Sequence, residues 1–280
     1  GTDGSLQERQ SAGNNLRSKL GHYSGAMFYY EGEWYWGVDR LYHLEARLKS
    51  LGADKSPDQP PLYPRPSNTV SGDASALTLE YYPSLRSPYT AVSWEPTMKL
   101  AHESGINLEI KPVLPMVMRG VPATRQKGIY IFKDAAREAR AQGVIYGKFY
   151  DPIGDPVLKG YALYVWAKTT GKGNDLLGSF LNAAFAEGIN TNNYHGLRHV
   201  VEKAGLDWQE ARNHLNDTEW HSELEQNRLS MYGFGSWGVP SYHLLDANGD
   251  SVLAVWGQDR LWLVSRKIAD LITNKAERYY

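Results

Sequence analysis

Residues 77–89 read Leu-Thr-Leu-Glu-Tyr-Tyr-Pro-Ser-Leu-Arg-Ser-Pro-Tyr, and this stretch decides the fold. Its first six residues are mostly apolar or aromatic and predict a β-strand. Pro83–Arg86 predicts a turn, and Ser87-Pro88 predicts the start of a helix because serine is a preferred N-cap and proline a preferred first helical residue. The stretch therefore predicts a strand that leads into a helix, with a serine hydroxyl at the helix N-terminus.

The elements that follow extend this unit to a mixed α/β fold. A second strand is predicted over 107–112 and a helix near 124–142. A helical tract comes next, over 155–169, 174–187, 196–204, 207–215 and 218–232. The chain closes with a hairpin, 241–245 with 252–256 turning at Asn248-Gly249, and a helix over 260–273. This order favours a thioredoxin-like fold with a helical insertion over a doubly wound sheet, in which strands would recur throughout.

A short repeat divides the chain. Residues 36–41 read Trp-Gly-Val-Asp-Arg-Leu and residues 256–261 read Trp-Gly-Gln-Asp-Arg-Leu, so five of six positions are identical. Each copy follows a predicted hairpin and precedes a predicted helix; in the first copy these are 26–30 with 33–36, turning at Glu31-Gly32, and 40–51. We therefore expect three parts: residues 1–53, the closing hairpin and helix of a truncated first copy; 54–76, a proline-rich linker; and 77–273, a complete domain.

The composition of the 280-residue chain excludes several kinds of chemistry. It contains no cysteine, which excludes thiolate zinc sites, iron–sulfur clusters and a disulfide oxidoreductase using its own sulfurs. Thirty basic and 31 acidic residues give a net charge of -1, so neither nucleic acid nor a membrane is an expected partner. The first 20 residues are polar, so no secretory signal is expected, and a cytoplasmic location is predicted.

Three short motifs contain candidate site residues, and each has a structural alternative. Ser87 either only caps its helix or also stabilises an anion at the positive end of the helix dipole. The Val239-Pro240 step either begins an edge strand or is cis, with the Val239 backbone free to pair with an extended ligand. Asp259-Arg260 either complements the helix dipole or binds the ammonium and carboxylate groups of a zwitterion.

The remaining charged motifs have simpler interpretations. Lys127, Lys133, Asp134 and Arg137 form a charged helix face whose default interpretation is solvated surface. His195 and His199 have the i, i+4 spacing of metal ligands, but no His-Glu-x-x-His pattern or carboxylate cluster accompanies them, so no metal is expected.

Taken together, the motifs resemble a known family. Ser-Pro-Tyr at 87–89, Lys-x5-Lys-Asp-x2-Arg at 127–137, Gly-Val-Pro at 238–240 and the motif at 256–261 occur in this order. The set is similar to the 2-hydroxychromene-2-carboxylate isomerase and kappa-class glutathione transferase family, relatives of DsbA-type thioredoxin folds. The resemblance covers 77–272.

The resemblance implies that the protein binds glutathione. Ser87 would occupy the place of the first cysteine of disulfide oxidoreductases and would stabilise the glutathione thiolate. The reaction would be a glutathione-dependent isomerisation or transfer on an unsaturated or aromatic-derived 2-oxo acid. The alternative is a non-catalytic thioredoxin-like binding domain.

The resemblance also implies roles for five further residues. Val239, before a cis Pro240, would pair with the cysteinyl backbone of glutathione. Asp259 and Arg260 would hold its γ-glutamyl end, and Lys127 would lie near its glycyl carboxylate. A homodimer is the family expectation.

Overall fold

The structure, a computed structural model, describes residues 3–277, so residues 1 and 2 of the predicted N-terminal segment lie outside it. The chain forms two compact units. The first unit takes in the described part of Gly1–Ser67 together with Ala123–Asp134, and the second takes in Asn68–Pro122 with the described residues from Ala135 onward. None of the helices over residues 3–277 is both long enough and apolar enough to cross a membrane.

The first unit contains the predicted hairpin and helix, preceded by a helix that the sequence patterns did not predict. Its elements are α1 (Asp3–Lys19), β1 (Met27–Tyr30), β2 (Glu33–Trp36), a 3₁₀ turn (Val38–Arg40) and α2 (Leu41–Ser50). β1 and β2 are antiparallel, and their turn at Glu31-Gly32 has positive φ at both residues, 43° and 85°. That conformation suits glycine and matches the twist of a two-residue hairpin. α1 is polar along its length, which explains why no apolar periodicity indicated it.

An aromatic cluster forms the interior of the first unit. The ring of His22, which is 3% exposed, lies with its centroid 4.7 Å from those of Tyr23, Trp34 and Tyr130. Trp34 also donates its indole N–H to the backbone oxygen of Leu20 at 3.3 Å. Burial lowers the pKa of His22, so the neutral ring is the form that packs here. One stacked, one tilted and one edge-to-face ring contact thus form the aromatic interior of this small unit.

A buried ion pair corrects the prediction for the charged helix face. Arg40 is 2% exposed and Asp134 is fully buried. The guanidinium of Arg40 donates to both carboxylate oxygens of Asp134, at 2.8 to 3.0 Å. The interpretation of Asp134 as solvated surface is therefore wrong. Only a long-range contact explains the burial, because nothing in the local pattern distinguishes Asp134 from the exposed Lys133 beside it.

The second unit contains the predicted order of strands and helices. Its elements are β3 (Thr78–Tyr82), α3 (Pro88–Ser104), β4 (Asn107–Ile110), the later part of α4 (Arg125–Gln142), α5 (Asp155–Thr169), α6 (Gly173–Asn182) with a π turn (Ala183–Glu187), α7 (Tyr194–Lys203), α8 (Trp208–Ala211), α9 (Trp220–Gly233), β5 (Ser241–Leu245), β6 (Ser251–Trp256), a 3₁₀ turn (Gln258–Arg260) and α10 (Leu261–Glu277). α5 to α9 form the helical insertion between the two halves of the sheet.

The sheet of the second unit has the strand order β4-β3-β5-β6. β3 is parallel to β4 and antiparallel to β5, and β5 is antiparallel to β6. On one face, Tyr81 and Tyr242 stack with centroids 5.1 Å apart. Their hydroxyls bond to Ser93 and Thr97 of α3, at 2.8 and 3.1 Å. The alternation of side chains along β3 then directs Glu80 and Tyr82 to the opposite face.

The proline-rich segment contains no helix or strand. Its last residues belong to the second unit, where Ala74 is 1% exposed. Ser265 of α10 donates its hydroxyl to the backbone oxygen of Asn68 at 2.9 Å. The end of the predicted linker is thus packed on the helix that closes the fold.

Candidate functional site

Three of the predicted site segments lie at one edge of the sheet of the second unit. By this edge we mean the end of the sheet at which strands β3 and β6 end and strand β5 begins. β3 ends at Tyr82, and β5 begins directly opposite it at Ser241. Ser241 also pairs with Trp256, the last residue of β6. The end of β3, the start of β5 and the end of β6 therefore lie side by side. The segments that leave this edge are 83–87, 238–240 and 257–260.

Ser87 is the N-cap of α3. Its backbone is extended, with φ of −95° and ψ of 116°, and its Oγ accepts a hydrogen bond from the Thr90 N–H at 3.1 Å. Pro88 is the first helical residue, as the sequence predicts. A serine hydroxyl that accepts one bond can still donate its proton to an anion. Capping therefore occurs, and the geometry is compatible with an anion at the positive end of the 17-residue helix.

A tyrosine from the helical insertion holds the segment before Ser87. The hydroxyl of Tyr161, on α5, accepts from the Leu85 N–H at 3.1 Å and donates to the Val113 carbonyl at 2.9 Å. The Val113 N–H in turn donates to the Pro83 carbonyl at 2.9 Å. Burial raises the pKa of Tyr161 to about 12, so the hydroxyl keeps its proton at neutral pH. One buried side chain thus ties together two loops at the end of the sheet.

An ion pair anchors the residue next to Ser87. The guanidinium of Arg86 donates to both carboxylate oxygens of Asp151, at 2.6 and 2.7 Å. Asp151 lies in the segment that joins α4 to α5. The bidentate geometry fixes the orientation of the Arg86 side chain and hence of the backbone that enters α3.

The Val239–Pro240 peptide bond is cis, as the resemblance implies. The Pro240 carbonyl accepts from the Gly257 N–H at 2.9 Å, which joins this segment to the end of β6. Within the described residues, neither the N–H nor the carbonyl of Val239 makes a hydrogen bond. A backbone whose donor and acceptor are both unpaired can take up an extended ligand as an added strand.

Gly238 is required beside this step. A Cβ at that position would lie 2.5 Å from two indole atoms of Trp256. The rings of Trp256 and Trp237 have centroids 4.8 Å apart and are both about half exposed, at 45% and 46%. An exposed aromatic pair therefore flanks the cis-proline segment.

Asp259 and Arg260 lie in the 3₁₀ turn after β6 and are both half-buried. Their side chains approach each other, with Nη1 of Arg260 3.7 Å from Oδ1 of Asp259. Their neighbour Gln258 is the deeply buried member of the turn, at 5% exposed, and donates to Glu138 of α4 at 2.9 Å. In the first copy of the motif, Arg40 is the member that is buried instead.

The predicted site residues are divided between the two units. Ser87, Val239, Pro240, Asp259 and Arg260 all belong to the second unit, whereas Lys127 belongs to the first. Lys127 lies on the first turn of α4 and is half-buried, with its N–H donating to Thr124 Oγ1 at 3.2 Å. Its role near the glycyl carboxylate stays a prediction.

Sequence patterns missed a charged network on the sheet. Glu80, 7% exposed, forms an ion pair with Lys111 and hydrogen bonds of 2.8 Å with His243 and with the Tyr82 hydroxyl. Burial by itself would raise the pKa of Glu80, but its hydrogen bonds with Lys111, His243 and Tyr82 lower it overall. Burial raises the pKa of Tyr82 far above its usual value. The one signal in the sequence was an acidic residue inside an otherwise apolar strand.

Comparison with known proteins agrees with this architecture. The model of the DSBA-like thioredoxin domain matches residues 78–269. Among solved structures, a 2-hydroxychromene-2-carboxylate isomerase is similar over 71% of this chain and 98% of its own, with 19% identity and a TM-score of 0.60. The cytosolic disulfide reductase DsbM from Pseudomonas aeruginosa, in a structure with GSH, is similar over 71% of this chain and 99% of its own, with 16% identity and a TM-score of 0.52.

A probable DsbA oxidoreductase from Streptomyces coelicolor is similar over 71% of this chain and 89% of its own, with 19% identity and a TM-score of 0.52. No curated protein matches the chain. At these identities the likeness concerns the fold, and the predicted thioredoxin-like fold with a helical insertion is confirmed. Because the family model covers more than half of its residues, the chain belongs to the DSBA-like thioredoxin domain family.

Proposed function

We propose that the second unit binds glutathione at the sheet edge and is a glutathione-dependent isomerase or transferase. The substrate would be an unsaturated or aromatic-derived 2-oxo acid. The observation that supports this most is one juxtaposition: the Ser87 hydroxyl at the N-terminus of α3 and the cis Val239–Pro240 step belong to segments that leave the same edge of the sheet. When bound, glutathione would supply a thiolate nucleophile that adds reversibly to an unsaturated carbon.

The residues present fit such a ligand. The unpaired N–H and carbonyl of Val239 match the backbone of a short extended peptide. Ser87 would donate its hydroxyl proton to the thiolate sulfur, and the dipole of α3 would add to that stabilisation. Asp259 and Arg260 offer one group of each sign for the zwitterionic γ-glutamyl end.

The neighbouring structures are consistent with this proposal. One of the similar proteins is a 2-hydroxychromene-2-carboxylate isomerase, and another was solved with GSH. A homodimer remains a prediction of the same resemblance, and a cytoplasmic location remains a prediction from the polar N-terminal sequence.

Thermal unfolding with reduced glutathione tests the binding. A ligand that binds only the folded state at a hundredfold excess over its Kd stabilises that state by about 2.7 kcal/mol, so the Tm should rise at millimolar glutathione. No shift would contradict the proposal and would favour the non-catalytic binding domain.

The role of Ser87 is tested by the ultraviolet absorbance of bound glutathione thiolate. We expect the bound thiol to titrate well below the value of about 8.5 for a free thiol, and Ser87→Ala to raise its pKa again. Asn193→Ala is a matched control, because the Asn193 side chain caps α7 by accepting from the Gly196 N–H at 2.8 Å. Each variant should lose about 1 kcal/mol of stability, but only Ser87→Ala should affect the thiolate.

A further inference from the structure

A cavity of about 290 Å³ lies in the second unit between α9 and the loop that follows β4. Its floor is apolar: Val113, Trp220 and Leu224 line it and are all 4% exposed or less. The size is close to the lower end of the range of about 300 to 1,000 Å³ typical of small-molecule sites. A space of this size and lining can take a small apolar group.

The wall of this cavity is positively charged. Arg119 lines it, and its guanidinium donates to three neutral acceptors: the Leu114 carbonyl at 3.0 Å, the Tyr232 hydroxyl at 2.8 Å and the Trp237 carbonyl at 3.4 Å. Within the described residues, Arg119 forms no ion pair with a carboxylate. Its guanidinium is therefore oriented by neutral acceptors, while Glu225, which also lines the cavity, acts on it electrostatically without a contact ion pair and is hydrogen-bonded to Arg228 instead.

A second guanidinium lies beside the first. Arg228 stacks over the ring of Tyr232, 4.8 Å from its centroid, and Tyr232 is the same residue whose hydroxyl binds Arg119. Arg228 is neutralised by Glu225, to which it donates two hydrogen bonds of 2.7 and 2.5 Å. Two arginines against one glutamate leave a net charge of one positive unit on the wall, which favours a monoanion.

We propose that this cavity binds a small organic monoanion in which an apolar body bears a carboxylate. The carboxylate would accept hydrogen bonds from Arg119, and the body would lie on the floor formed by Val113, Trp220 and Leu224. Binding of the anion does not depend on glutathione.

The cavity adjoins the segment that leads to the catalytic serine of the proposed function. Val113 lies in its floor and donates its N–H to Pro83, in the turn before Ser87. This site would therefore receive the 2-oxo acid substrate, and that assignment rests on the proposed function.

Calorimetric titration of the full chain with trans-cinnamate tests the anion site, with cinnamamide as the neutral probe of the same shape. We expect cinnamate to bind at least about tenfold more tightly than cinnamamide, since hydrogen bonds to charged groups contribute more than neutral ones. Arg119→Gln should remove this difference, and Arg119→Lys should retain part of it. Arg212→Gln, which removes an exposed arginine on the surface beyond α8, should change nothing.

Equal binding of the two probes, or no binding of either, would overturn the proposal. If Arg212→Gln reduced the preference for cinnamate over cinnamamide as much as Arg119→Gln does, the proposal would also be overturned, because the preference would then depend on the overall charge of the protein. Glutathione thermal shifts on the same variants separate the two hypotheses. If cinnamate discrimination holds while glutathione gives no shift, the anion site stands and the proposed function fails. If Arg119→Gln abolishes the glutathione shift and leaves cinnamate binding intact, the cavity belongs to glutathione and the anion site is refuted.

Discussion

Tyr82 and Ser241 face each other in the antiparallel register of β3 and β5. Tyr82 is the last residue of β3, five residues before Ser87, and Ser241 directly follows the cis Val239–Pro240 step. Because a slip of one residue would turn every side chain to the other face, this register is strongly specified. The pairing of two buried strands thereby places at one end of the sheet two segments, one with Ser87 and one with Pro240, whose residues lie 153 positions apart in the chain.

A cysteine introduced by Ser87→Cys should have a depressed pKa. The positive end of α3 favours a thiolate there, so we expect the pKa to lie clearly below the value of about 8.5 for a free thiol. The rate of alkylation by iodoacetamide as a function of pH measures this directly, since the chain has no other cysteine. Ser50→Cys, at the last residue of α2, is the control: it lies at the negative end of a helix, where the pKa should not fall. Equal pKa values at the two positions would contradict the prediction.

Tyr161→Phe should destabilise the second unit by about 2 kcal/mol. The substitution leaves the Leu85 N–H and the Val113 carbonyl without their shared partner, and buried groups without partners cost about 1 to 3 kcal/mol. Urea unfolding measures the loss, and hydrogen exchange should show faster exchange at Leu85. Tyr164→Phe removes a weaker bond, 3.4 Å long, to the Ile110 carbonyl and should cost less. A larger loss from Tyr164→Phe would show that the bridging role of Tyr161 is wrong.

Glu80 should make the stability of the second unit fall in acid. Its folded-state pKa lies below the ordinary value of 4.5, so the folded state binds fewer protons than the unfolded state. The stabilisation is therefore fully present above about pH 4.5 and is lost as the pH falls through the folded-state pKa. The measurement is the Tm of the wild type and of Glu80→Gln between neutral and acid pH.

We expect Glu80→Gln to lower the free energy of unfolding by on the order of 3 kcal/mol at neutral pH. The Tm of this variant should also fall less than that of the wild type as the pH is lowered. The matched control is Glu109→Gln, because Glu109 also contacts Lys111, at 3.3 Å, but is 47% exposed. It should change stability by less than about 1 kcal/mol. The same acid dependence in wild type and Glu80→Gln would exclude Glu80 as its origin.

The ion pair of Arg40 with Asp134 should be essential for the first unit. Arg40→Met removes one partner of a buried pair and should cost about 3 to 5 kcal/mol, whereas Arg40→Met with Asp134→Leu should recover much of the loss. Hydrogen exchange at the amides of β1 and β2 reports on this unit. Arg47→Met, at an exposed position of α2, is the control and should have little effect. If the double variant were as unstable as the single one, an uncompensated charge would not be the cause.

The order of the elements and several of their ends follow from local sequence. Ser87 and Pro88 predict the start of α3, and Glu31-Gly32 predicts the first hairpin turn, because caps and turns depend on interactions within a few residues. The repeated motif indicates that a hairpin followed by a helix occurs twice, and both copies have these two elements, with a 3₁₀ turn between them that the sequence did not predict. The absence of cysteine excludes thiol chemistry by the chain itself without reference to any structure.

Contacts between residues far apart in the sequence decided which charged residues are buried and which partners they have. Lys133 and Asp134 are adjacent charged residues of one helix, and no local pattern predicts which of them is buried. Asp134 is buried against Arg40 and Lys133 is exposed, because burial depends on which other segments of the chain pack against each position. The network around Glu80 and the charged wall around Arg119 likewise join residues more than 100 positions apart. Sequence patterns describe faces of single elements, whereas the free energy of a buried charge is set by partners that only the tertiary fold supplies.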